Sequence, residues 1–142
     1  MVKEKRWKDA KEFYTKGIAV LTKRMGSEGS GTIQGELKIQ EACFINRALC
    51  NLELQNYRST TLDCSATLKI SPKNLKAYYR SAQALLALNK IDQAHDAAMH
   101  GLLIDRDNGP LKNLMDKIAL RGEKRNAEDE KRYVHLVNDS PS

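Results

Sequence analysis

The stretch that decides the fold reads EACFINRALCNLELQNYRSTTLDCSATLKISPKN over residues 41–74, and LKAYYRSAQALLALNKIDQAHDAAMHGLLIDRDN over residues 75–108. Set one above the other at an offset of 34, the two lines agree in kind. Phe44 falls on Tyr78, Ala48 on Ala82, Leu52 on Leu86, Leu54 on Leu88, Thr60 on Ala94 and Thr67 on Gly101. Between residues 36 and 100 there is no glycine, and Pro72 is the one proline. The apolar spacing is helical, since Phe44, Ala48, Leu49 and Leu52 stand at i, i+4, i+5 and i+8. In both lines the pattern breaks at the same place, Gln55–Asn56 and Asn89–Lys90. Each line is therefore two helices, and repeated helix pairs predict an all-α solenoid. Small side chains (Ala48, Ala82, Ala94) sit where paired helices must cross closely. Pro72, after Ser71, ends one unit and opens the next where its missing N–H loses nothing.

Working outward, Trp7, Ala10, Tyr14 and Gly17 match the second-helix positions of Tyr57, Thr60, Cys64 and Thr67. Residues 1–25 thus read as the remnant second helix of a first repeat, whose own first helix would begin about nine residues before Met1. The expectation is a chain that starts inside a repeat, through trimming. The next repeat arrives about sixteen residues late on the repeat count. Gly26, Ser27, Gly29, Ser30, Gly31 and Gly35 make 26–35 a flexible Gly/Ser insertion, with the excess from Glu36 lengthening the following helix. The second and third repeats then occupy 36–106. Asn108 and Pro110 signal another helix start. Leu111, Leu114, Met115, Ile118 and Ala119 form an apolar stripe suited to covering the end of the stack. Residues 108–137 read as a capping helix with a solvated, mixed-charge extension, and 138–142 as a disordered tail.

Composition bounds the setting. A chain of 142 residues, 41% hydrophobic and 30% charged, is long enough to bury a core without disulfides or metals. No apolar stretch approaches bilayer length, and Lys3, Glu4, Lys5 and Arg6 open the chain where a secretion signal would be apolar. The odd cysteine count (Cys43, Cys50, Cys64) points to a reducing compartment, so the expected location is the cytoplasm, with the nucleus open as well. A net charge of +6 and a pI near 9.3 predict an anionic partner.

A period of 34 with two helices per unit resembles the tetratricopeptide repeat, which implies a right-handed solenoid of about two and a half helix pairs plus a capping helix. In that family the first helix of each pair lines the concave face. Lys76 and Arg80 stand one turn apart on such a helix, and Asn46 holds the position equivalent to Arg80 one repeat earlier. Arg presents a planar fork to a carboxylate and Lys a compact charge. The segments FINRA (44–48) and KAYYR (76–80) resemble the carboxylate clamp of chaperone-binding members, which grips both carboxylates of the last aspartate in the Glu-Glu-Val-Asp tail of heat-shock proteins 90 and 70. The resemblance implies that Lys76 and Arg80 bind the terminal carboxylates while Asn46 orients the main-chain one. The other clamp Lys and Asn of the family belong to the first helix of the first repeat, upstream of Met1. Three segments, KRWKDAKEFYTKGIAV, NRALCNLELQNYRSTTLDCS and LKISPKNLKAYYRSAQALLALNKIDQA, are most similar to the tetratricopeptide repeat protein four and cyclophilin seven suppressor family. That family implies a co-chaperone adaptor whose partner is the C-terminal peptide of heat-shock protein 90 or 70.

Enzyme chemistry finds no foothold. Cys43 and Cys50 share a helix face and Cys64 reads as core, without zinc spacing, while His95, His100 and His135 are scattered. The GSEGSG run lacks the Lys-Ser/Thr of a phosphate loop. No cofactor or metal is expected, and no membrane partner. Tyr78 and Tyr79 read as packing residues. Two rivals remain open: a basic helical scaffold for RNA or another protein, which lacks a basic stripe with interleaved aromatics, and the targeting domain of a larger enzyme such as a prolyl isomerase. The sequence leaves the oligomeric state undetermined.

Overall fold

A computed structural model of the chain describes residues 2–25 and 33–138. Among these residues six helices follow one another: α1 (Val2–Met25), α2 (Ile33–Glu53), α3 (Tyr57–Ile70), α4 (Leu75–Ala87), α5 (Ile91–Ile104) and α6 (Gly109–Asn138).

The repeat is written in the turns as well as the helices. Gln55 (φ 62°) and Asn89 (φ 61°), 34 residues apart, are the non-glycine residues with left-handed backbone among those described. Each sits just past a helix end. Asn56 N–H donates back to Asn51 O (2.7 Å) and Gln55 N–H to Leu52 O (3.0 Å); Lys90 N–H donates to Leu85 O and Asn89 N–H to Leu86 O, both at 2.9 Å. These paired reversals satisfy carbonyls the helix leaves open and fold the chain back on itself. Asn74 and Asn108, also 34 apart, start α4 and α6. Their Oδ1 atoms accept from Ala77 N–H (3.1 Å) and Leu111 N–H (3.0 Å).

Each helix packs on the next, and α2 also meets α4 while α4 meets α6. No such approach joins α1 to α3 or α3 to α5 among the described residues. The even-numbered helices therefore lie closer together than the odd-numbered ones, and the stack curves with α2, α4 and α6 on its inner side. One core, of Ala82, Ile91, Ala94, Ala98, Leu111, Leu114 and Ile118, fixes α4 and α5 against the start of α6. A second, of Ile45, Ala48, Cys64 and Ala77, joins α2, α3 and α4. Gly101 shows why the repeat narrows there. A Cβ at that position would stand 2.7 Å from Leu111 Cδ1 and 3.3 Å from Tyr78 Cβ. Leu111 is fully buried and has little room to yield.

A polar cluster ties the first three helices. Arg47 of α2 grips Asp63 of α3 with two parallel bonds, Nη2 to Oδ1 at 2.7 Å and Nε to Oδ2 at 3.0 Å. Asn51 Nδ2 donates to the same Oδ2 (2.9 Å), and Arg47 Nη1 reaches Thr15 Oγ1 of α1 (3.3 Å). Arg47 also lies 5.6 Å over the Phe44 ring.

Three details differ from the sequence reading. Helix α2 begins at Ile33, so residues 33–35 of the expected insertion are helical. Glu36 explains the extension: it sits in the first turn, where a carboxylate suits the helix dipole, and it is buried within 3.6 Å of Arg24 Nη2. Ala119, assigned to the apolar stripe, is exposed, because α6 turns Leu111, Leu114, Met115 and Ile118 toward the core and Ala119 away from it. Asn138, assigned to the tail, ends α6. Residues 26–32 of the insertion and 139–142 of the tail lie outside the described residues. No helix among those described is long and apolar enough to cross a membrane.

Candidate functional site

The inner side of the curve brings α2 and α4 together. Arg80, midway along α4, is half-buried and sends Nη1 to the carbonyl oxygen of Ile45 on α2 at 2.8 Å. This spans the two helices one residue away from Asn46. Burial pulls the Arg80 pKa below the ordinary arginine value, with Cys64 and then Cys50 opposing the shift. Arginine nonetheless stays protonated at neutral pH. Its positive charge is thus partly stripped of water, and no carboxylate lies within ion-pair distance of it among the described residues.

Lys76 lies one turn earlier on α4 and is exposed, with no ion-pair partner among the described residues. Asn46 is half-buried, and its amide makes no hydrogen bond among them. Of the three residues singled out in the sequence, the structure sets Arg80 against α2 but joins neither Lys76 nor Asn46 to it by a direct bond. Toward the N-terminal ends of α2 and α4 the same face opens into a hollow lined by Lys38, Glu41, Ala42, Ile45, Lys73 and Lys76. Glu41 Oε2 accepts from Asn74 Nδ2 at 2.8 Å. The motif reading passed over Lys38 and Lys73; Lys38 lies on α2 and Lys73 in the turn before α4, so no spacing within one helix ties either to Lys76. A hollow along α1 is lined by Glu4, Lys8, Lys11 and Glu12, with Lys8 paired to Glu4 and Glu12 to Lys16 at 3.3 Å each. Its two acids balance its two lysines, whereas three lysines face one acid on the α2–α4 face.

The cysteines behind this face are packing groups. Burial pushes the Cys64 thiol up to about 12, and burial also raises Cys50 and Cys43. We expect iodoacetamide at pH 8 to leave Cys50 and Cys64 unmodified in the native protein, with any native labelling falling on half-buried Cys43; peptide mass spectrometry checks this. A folded pKa above the ordinary 9.0 means that the unfolded chain ionises first. Stability is full below that value and falls as pH climbs toward 12. Rapid native labelling of Cys64 contradicts the packing. Among the described residues no group of three or more His, Cys, Asp or Glu is arranged to hold a metal ion. Tyr78 stacks on His100 (ring centroids 5.8 Å apart) and donates its hydroxyl to Pro72 O at 3.0 Å, a packing role.

Residues 52–118 match the tetratricopeptide repeat family. The chain is a tetratricopeptide-repeat domain. Within this fold α2 packs on α3 and α4 on α5, α6 meets both α4 and α5, and α1 packs on α2. The repeat domain is 39% identical over 132 residues to the Hsp70/Hsp90 co-chaperone CNS1 of Saccharomyces cerevisiae, covering 92% of this chain and 31% of that protein. The Hsp70/Hsp90 co-chaperone cns1 of Schizosaccharomyces pombe is 44% identical over 92 residues, 65% of this chain and 22% of that protein. The repeat domain thus spans less than a third of either relative. The solved structure of the Hsp90 co-chaperone Cns1 from Saccharomyces cerevisiae (delta69) matches it with a TM-score of 0.79 at 38% identity, covering 96% of this chain and 40% of that one.

Proposed function

We propose that this domain is the adaptor part of a cytoplasmic co-chaperone and that its α2–α4 face captures the acidic C-terminal tail of heat-shock protein 90 or 70. The observation that carries the reading is Arg80, a half-buried cation with one N–H on the Ile45 carbonyl and no carboxylate partner among the described residues. A ligand carboxylate supplies the missing counter-charge where water is already partly excluded, the setting in which a charge-assisted hydrogen bond is strongest. Lys76 adds a second cation one turn away, and the unengaged Asn46 amide adds neutral donors beside the Arg80 anchor. The names of the two yeast relatives, Hsp70/Hsp90 co-chaperones, support the partner class.

Fluorescence polarisation with a labelled Met-Glu-Glu-Val-Asp peptide tests this. The expected result is saturable binding that vanishes when the peptide C-terminus is amidated. Binding indifferent to amidation, or competed by RNA instead of by free peptide, removes the reading in favour of a general basic scaffold.

A further inference from the structure

The later part of α6 carries a repeat of its own, with a period of seven. Leu120, Ala127 and Val134 each follow an acid by four positions and a lysine by three: Asp116 and Lys117, Glu123 and Lys124, Glu130 and Lys131. At about 100° per residue, positions seven apart fall within about 20° of one another, so the three apolar residues make one narrow seam. The acids stand about 40° to one side of it and the lysines about 60° to the other. All of these side chains are exposed, Leu120 at 67% and Val134 at 54%.

The solenoid makes no use of this seam. Buried Ile118 lies two residues before Leu120, about 160° around the helix, and with Leu111 and Leu114 it holds α6 against α4 and α5. Three basic residues of α6 that lie off the seam are answered within the chain, Lys112 by Asp107, Arg125 by Asp92 and Arg132 by Asp129. None of the six charges that flank the seam has an ion-pair partner among the described residues. A hollow lined by Ala127, Glu130, Lys131, Val134 and His135 opens on the same face.

We infer that this seam is where two copies of the chain pair, with their α6 helices side by side and parallel. The flanking charges decide both the occupant and its direction. A two-fold axis running along the paired helices brings the acid flank of one copy against the lysine flank of the other, at both edges of the seam. Asp116, Glu123 and Glu130 then face Lys117, Lys124 and Lys131 of the second copy, and every flanking charge gains a counter-charge. An antiparallel pair would set acids beside acids and lysines beside lysines, which repulsion disfavours. In the parallel pair Leu120 meets Leu120, Ala127 meets Ala127 and Val134 meets Val134, in layers about 10 Å apart. The small Ala127 lets the backbones approach closely at the middle layer. Since the seam faces away from Ile118, the two solenoids lie on the outer sides of the paired helices.

Sedimentation equilibrium of the full chain tests the pairing. The mass should rise with concentration from 16.0 kDa toward twice that value, and less steeply at high salt. Lys117→Glu/Lys124→Glu/Lys131→Glu should weaken association about 10-fold or more, because acids then line both flanks. Asp116→Lys/Glu123→Lys/Glu130→Lys should do the same, and an equimolar mixture of the two variants should associate again. Single cysteines report the direction. Under mild oxidation Leu120→Cys and Val134→Cys should each give a disulfide between two identical chains, assigned by peptide mass spectrometry, while the off-seam Arg121→Cys should not. All substituted positions are exposed, so circular dichroism should be unchanged. A chain that stays monomeric at every concentration up to about 1 mM overturns the pairing. Association indifferent to the lysine reversal overturns it too, as does equal cross-linking through Arg121→Cys. A disulfide that forms only when Leu120→Cys and Val134→Cys are mixed overturns the parallel direction.

Discussion

Arg80→Met should weaken binding of the Met-Glu-Glu-Val-Asp peptide about 30-fold or more while leaving the helical circular dichroism unchanged. Removing one member of a desolvated charged contact costs about 2–5 kcal/mol, much of it the penalty of stranding the other member. Methionine keeps an apolar stem at this half-buried position and removes only the cation, so packing and charge are separated. The lost bond to Ile45 O frees a carbonyl within helix α2, a minor loss for the fold. Arg80→Lys should recover part of the affinity, because a point charge returns without the planar fork. A folded Arg80→Met variant that binds within about threefold of wild type contradicts the role assigned to Arg80.

The second large effect concerns stability. Asp63→Ala should lower the unfolding free energy by about 3 kcal/mol, since it leaves Arg47 and Asn51 without their shared acceptor. Arg47 keeps some access to water, with 21% of its side chain exposed, which holds the loss at the lower end of the range for broken buried pairs. Urea denaturation followed by circular dichroism measures it. Replacing the pair together, Arg47→Met with Asp63→Leu, should be much milder than the single change, because no charge is then stranded. A loss below about 1 kcal/mol for Asp63→Ala would reduce the cluster to an ordinary surface pair.

The repeat was legible because it is a periodic property. Ala48, Ala82 and Ala94, chosen by register alone, are all fully buried, and the two turns at Gln55 and Asn89 fall where the pattern breaks. Spacing within a helix likewise put Lys76 and Arg80 on one side. What spacing does not encode is depth. Nothing in KAYYR distinguishes the exposed Lys76 from the half-buried Arg80, since that difference depends on how closely α2 approaches. The Arg47–Asp63 pair was invisible for a related reason. Its members are 16 residues apart on different helices, and only the crossing of α2 and α3 brings them together. The start of α2 was missed because Gly35 reads as loop, whereas Glu36, buried near Arg24, favours a longer helix.

The absence of direct approach between α1 and α3, or between α3 and α5, bears on how the chain assembles in time. Packing partners are consecutive helices or next-but-one helices on the inner side, so few contacts link residues far apart in sequence. Little loop entropy has to be lost before the first native contacts form, which places the domain with low-contact-order, rapidly folding helical proteins. Folding can begin at either helix pair and spread from it, and α4, which touches α2, α3, α5 and α6, is the element through which the two halves meet.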